Sequence, residues 1–223
     1  MHGESTTGLP RLHVIAGDGI ISAGDYRERI GPILRVGGRS IAVHLRARTV
    51  QAARLFEVAR WLAESARATG SLAVVNDRLD VVLAVGAGGI HLREDSLAPD
   101  DVRQVADSVA VDARGLRVGR SIHQARQAAM YTAEQLDYLV LGTIYATPSH
   151  PGREPLGPAV VADTVRLASV PVLAIGGIAP ATLPNILAEG AHGAVVLSGV
   201  WAAHRPPDAV SRYLEVLDKE AAP

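Results

Sequence analysis

Short β-branched runs alternate with longer amphipathic stretches along the whole 223-residue chain, and this alternation restricts the fold more than any other feature. The runs fall at 12–16, 40–46, 72–76, 89–93, 117–122, 138–143, 172–176 and 194–198. Their composition and length predict strands. The clearest helix is expected over 49–68, where alanines and leucines join Phe56, Val58 and Trp61 on an apolar face. Further helices are expected to begin near Pro99, His123, Pro158, Pro180 and Pro206, since proline loses no hydrogen bond in a first helical turn. Gly70, Gly86 and Gly190 stand where helix ends favour a left-handed residue. Eight strands, each followed by a helix and with no linker dividing them, predict a single parallel (β/α)8 TIM barrel over 11–221, preceded by a polar tail at 1–10. An open doubly wound sheet uses the same alternation, but five or six strands suit it better than eight.

Composition narrows the chemistry. Hydrophobic residues make up 48% and charged residues 20%, with a formal net charge of -1, so no basic field attracts nucleic acid or an anionic membrane. Cysteine is absent, which excludes thiolate metal sites and a cysteine nucleophile. The single lysine, Lys219, lies near the C-terminus, far from any strand end, which excludes Schiff-base chemistry. No signal-like or membrane-spanning run is legible, and a cytoplasmic enzyme is expected.

In such a barrel the chemistry belongs to the C-terminal strand ends and the loops beyond them. Gly176-Gly177 follows the seventh run and Ser198-Gly199 the eighth, where many barrels grip phosphate with backbone amides. The alternative is that the paired glycines only make a tight turn. His44 and Arg46 share one strand face, as do His91 and Arg93. Facing inward they would form a cationic rim for phosphate or carboxylate. Arg46 is expected inward, while His44, His91 and Arg93 stay open. Residues 145–157 are rich in Pro, Gly and Ser and read as an active-site lid or a rigid loop.

Several motifs in order carry a resemblance. They are His44-Leu45-Arg46-Ala47-Arg48, Val75-Asn76-Asp77-Arg78, Gly89-Ile90-His91-Leu92, Gly119-Arg120-Ser121-Ile122-His123, Thr147-Pro148-Ser149 and the two glycine loops. With these the chain resembles the family of thiamine-phosphate synthase and thiazole tautomerase. For a synthase, the resemblance implies Arg46 and Arg48 on phosphates, and Asn76 and Asp77 at magnesium and a diphosphate. It also implies a second metal carboxylate after the fourth strand and a lysine after the Thr-Pro loop. Counted without gaps, Ser96 takes that carboxylate's place, one residue after Asp95, and His150 replaces the lysine. A tautomerase needs no cofactor. The stretch ending in His123 resembles that branch, with His123 as general acid/base and Ser121, Thr147, Gly176, Gly177, Ser198 and Gly199 binding the substrate. The expectation is therefore a thiazole tautomerase. A magnesium-dependent synthase is the alternative, and a non-catalytic binder of thiamine-related phosphates the third reading. The resemblance also implies a homodimer and a small phosphate-bearing substrate.

Overall fold

Eight strands close on themselves in sequence order in the computed structural model, which describes residues 8–109, 115–147, 152 and 154–220. They are β1 (Leu12–Gly17), β2 (Ile41–Arg46), β3 (Leu72–Asn76), β4 (Gly89–Leu92), β5 (Arg117–Ile122), β6 (Tyr138–Gly142), β7 (Val172–Ile175) and β8 (Gly193–Val196). Every neighbouring pair is parallel, including β1 with β8, so the expected barrel is the observed one and the open sheet is excluded.

Helices pack outside: α1 (Asp18–Ile21), α2 (Tyr26–Gly37), α3 (Ala52–Thr69), α4 (Leu79–Val85), α5 (Pro99–Ser108), α6 (Val160–Leu167), α7 (Leu183–Ala188), α8 (Ser198–Trp201) and α9 (Pro206–Lys219). The sequence pattern does not single out α2 or α4. Pro32 interrupts the first, and the second is seven residues long, too short for a 3.6-residue period to stand out. After β5 the expected α-helix is instead a 3-10 turn over Ala125–Met130, closed by a reciprocal cap between Gln124 and Gln127. Among the described residues, no helix is long and apolar enough to cross a membrane.

Two apolar layers result. The larger lies between strands and helices and holds residues such as Leu12, Ile41, Leu62 and Ile90. The smaller fills the barrel interior with Leu9, Ile15, Tyr138, Val140, Leu173 and Val195. Leu9 and Pro10, which the sequence reading places in a polar tail, are buried and close the bottom of the barrel. Gly119 makes room for the Tyr138 ring: a Cβ there would lie 2.0 Å from Tyr138 Cζ. Beside the apolar plug stands a polar column of His13, His44, Asn76 and His91, all buried. Layers of branched aliphatics are the usual barrel filling, so the column needs a separate account.

Candidate active site

The strand ends surround a cavity of about 730 Å³, within the range of small-molecule sites. Ten expected residues line it: Arg46, Arg48, Asn76, Ser121, His123, Thr147, Gly176, Gly177, Ser198 and Gly199. His44, His91, Arg93 and Asp95 line it too, which settles the inward orientation left open by the sequence. Asp77 does not. Pro148, Ser149 and His150 lie outside the described residues, and so does part of the expected lid.

The floor is a chain of neutral histidines. Burial pushes His13 and His91 well below the ordinary imidazole range and His44 down to about 4. His13 Nε2 donates to the Pro10 carbonyl at 3.1 Å, so its Nδ1 carries a lone pair and accepts from His44 Nε2 at 2.8 Å. His44 Nδ1 is then an acceptor as well. The Asn76 amide lies 3.3 Å from it, measured to Oδ1, and only the amide NH2 can donate there. Asn76 therefore turns its nitrogen to His44 and its oxygen to the cavity. His91 Nε2 is 2.8 Å from Ser121 Oγ, while its buried Nδ1 has no partner among the described residues. A bare buried N–H is rarer than a bare acceptor, so Nε2 donates and the Ser121 hydroxyl hydrogen is free for a ligand. The column thus sets the polarity of two groups at the cavity wall.

His123 stands just past β5. Its Nδ1 lies 2.6 Å from the Gly142 carbonyl, which can only accept, so Nδ1 bears the hydrogen and Nε2 is left as base or acid. Its main-chain N donates to Gln127 Oε1 at 2.8 Å, and Glu94 Oε2 lies 3.8 Å from Nε2. Glu94 itself is held by Gln127. Glu94 is a cavity residue the sequence reading did not single out. Arg120, buried outside the cavity lining, donates from its guanidinium to the carbonyls of Leu97 at 2.8 Å and Glu94 at 2.6 Å and braces the loop after β4.

The cationic rim forms at β2 and β4. Arg46 is half-buried and has no hydrogen bond or ion pair among the described residues; burial, then the charges of Arg48 and Arg93, lower its pKa. Asp18 accepts from the Arg48 and Thr49 amides at 2.7 and 3.1 Å, which fixes the loop carrying Arg48.

Opposite, the glycine loops answer first to packing. Gly176 and Gly177 have φ of +107° and +61°. A Cβ on Gly177 would lie 2.5 Å from the Ala146 carbonyl oxygen, and one on Gly176 would lie 2.4 Å from Thr143 Cγ2. The pair lets the loop after β7 lie against the loop after β6, with Tyr145 N donating to Gly176 O at 3.0 Å. Tyr213, missed in the sequence, reaches from α9 into the cavity wall and donates to the Ile178 carbonyl at 2.8 Å. A Cβ on Gly199 would lie 2.3 Å from that hydroxyl. The first amides of α8, at Ser198 and Gly199, have no partner within the helix.

The expected magnesium donors do not fit a metal in this arrangement. Both Asp77 oxygens are taken by Arg93, Oδ1 by its main-chain N at 3.0 Å and Oδ2 by Nε at 2.8 Å. Asp95, strongly exposed, lies 3.7 Å from the same Nε. Among the described residues, no group of three or more His, Asp or Glu side chains is placed to hold an ion.

A family model described as thiamine monophosphate synthase matches residues 12–200. A thiamine-phosphate synthase of Mycobacterium sp. (strain KMS) is 39% identical over 157 residues, covering 70% of this chain and 67% of that protein. Another, of Parasynechococcus marenigrum (strain WH8102), is 34% identical over 195 residues, covering 87% of this chain and 54% of its own length. In structure, a thiamine phosphate pyrophosphorylase from Pyrococcus furiosus superposes with a TM-score of 0.80 at 24% identity, covering 97% of this chain and 98% of that one, a likeness of fold. Both of these sequence relatives are named as thiamine-phosphate synthases. With the family model spanning all eight strands and the cavity at their ends, the chain belongs to the thiamine monophosphate synthase family.

Proposed function

We propose that the protein is a thiamine-phosphate synthase. It joins the methylene carbon of a hydroxymethylpyrimidine diphosphate to the ring nitrogen of a thiazole phosphate. One C–N bond forms, one C–O bond breaks, and diphosphate leaves with the bonding pair. The observation that carries this reading is the pairing of two anion-binding edges across one cavity. In a closed eight-stranded barrel β3 stands opposite β7 and β4 opposite β8, so the rim spanning the ends of β2 to β4 is centred across the cavity from the Gly177 loop, with Arg93 across from Ser198–Gly199. A volume of about 730 Å³ has room for two small substrates end to end.

In this arrangement the glycine loops hold the thiazole phosphate with backbone amides and the Ser198 hydroxyl. The guanidinium rim takes the charge that builds on the departing diphosphate, where preorganised cations stabilise a transition state most. Asn76 Oδ1 and the Ser121 hydroxyl present one acceptor and one donor to the pyrimidine edge. Holding both reactants in line turns a bimolecular step into an effectively unimolecular one. The test is direct: purified protein with both substrates should form thiamine phosphate and diphosphate in equal amounts. No turnover at micromolar enzyme, with both substrates bound, would sink the reading.

A second reading, a thiazole tautomerase, draws on His123. Its Nδ1–H is pinned by Gly142, leaving Nε2 free to give and take a proton at a ring carbon. Arg46 would then hold the substrate carboxylate. Rapid aromatisation of a carboxythiazole phosphate without any transfer activity would put this reading first.

A further inference from the structure

We propose that Arg93 supplies at the diphosphate edge the contacts to phosphate oxygens that a divalent cation would otherwise make, so that this chain binds diphosphate without metal. The role of diphosphate as leaving group rests on the synthase reading; the binding itself does not.

Asp77 is the starting point. It sits at φ +60°, an unusual conformation for a non-glycine residue, and is held there by its own N–H on the His91 carbonyl at 3.0 Å. Its carboxylate does not face the cavity. It grips one residue twice, by main-chain N and by side-chain Nε. That double grip orients the Arg93 guanidinium and uses only one of its three nitrogens. Nη1 and Nη2 make no hydrogen bond among the described residues, and Arg93 lines the cavity. A planar fork with two free nitrogens matches the spacing of phosphate oxygens.

Arg93 brings one positive charge, which Asp77 balances and the exposed Asp95, 3.7 Å from the same Nε, offsets further. Attraction for the anion then comes from Arg46 and Arg48, while Arg93 adds local donors. Arg46 registers the Arg93 charge, which helps to lower its pKa. An arriving diphosphate relieves that repulsion between guanidinium groups.

The experiment is calorimetric titration of inorganic pyrophosphate into the full chain in metal-free buffer with EDTA. It is repeated with Arg93→Gln and with Arg166→Gln, an exposed arginine on α6, as control. Arg93 is more than half exposed, so its truncation leaves the core untouched. Wild type should bind without metal, and Arg93→Gln should weaken binding at least about tenfold, as expected for losing a charge-assisted pair of hydrogen bonds. The control should not change it, and manganese alone should give no protein-bound signal in electron paramagnetic resonance. Binding that appears only with metal, no binding in either buffer, or a smaller loss in folded Arg93→Gln would each overturn the proposal. If pyrophosphate binds as expected but no thiamine phosphate forms, the synthase reading fails and the role of Arg93 stands.

Discussion

His123 and Arg46 show how one side chain at this site trades stability against chemistry. His123 is braced from Gly142 and Gln127, so its ring orientation survives without a ligand. In the synthase reading no proton moves at carbon, and His123→Gln should keep transfer within about tenfold of wild type. In the tautomerase reading it should lose on the order of 10²–10⁴ in kcat, the usual worth of a positioned acid/base. Rates of the folded variant on both substrates distinguish the two. Arg46 is half-buried with no hydrogen bond or close ion pair among the described residues, and the more distant Asp77 and Asp18 offset only part of the cost of burying its charge, which a bound anion offsets further. Arg46→Gln should therefore raise the melting temperature slightly while weakening inorganic phosphate or pyrophosphate binding at least about tenfold. A variant less stable than wild type would mean that Arg46 already has a partner in solution.

At the level of elements, α9 sets the loops beyond β7 and β8. The Tyr213 hydroxyl is buried, bonds Ile178 and fills the space that Gly199 leaves. Tyr213→Phe keeps the ring but strands a carbonyl, and should cost about 1–2 kcal/mol in denaturant unfolding. It should also weaken phosphate binding, because the loop loses its anchor; unchanged affinity would show the loop to be fixed from β6 alone. Gly177 is the other support. An alanine there meets both a left-handed backbone and the Ala146 oxygen, so Gly177→Ala should destabilise by about 1–3 kcal/mol as well as impair binding. Charge at this position is thus a poor probe of the anion, since any side chain displaces the loop.

For the whole molecule, the buried histidine column ties stability to pH. His13, His44 and His91 are held neutral in the fold but protonate near pH 6.5 when unfolded. The unfolded chain then binds more protons, so stability rises with pH through this range. Stability should be full above about pH 7 and fall as pH drops from about 6.5 toward 4, where His44 takes its proton in the fold. His44 alone contributes on the order of 3 kcal/mol across that window. His44→Gln should flatten the slope of melting temperature against pH between 7 and 4; an unchanged slope would place the effect elsewhere.

The sequence by itself determined the barrel and the place of its site. Eight β-branched runs with intervening helices favour a closed parallel order over an open sheet, and strand order alone puts 44–48, 76 and 176–177 at one end. All ten substrate and acid/base residues expected there line the cavity because strand ends converge whatever their side chains do. What each residue faces was decided only in three dimensions. A period of two places Arg46 and Arg93 on a face, but cannot tell that Asp77 turns to Arg93. The histidine column spans β1, β2 and β4, separated by some 30–50 residues in sequence, so no local pattern reveals it. Tyr213 comes from the last helix and reads in sequence as an ordinary apolar contact. Local patterning is set by short-range sterics and burial, whereas ion pairing and tautomer choice depend on which distant groups meet in low dielectric.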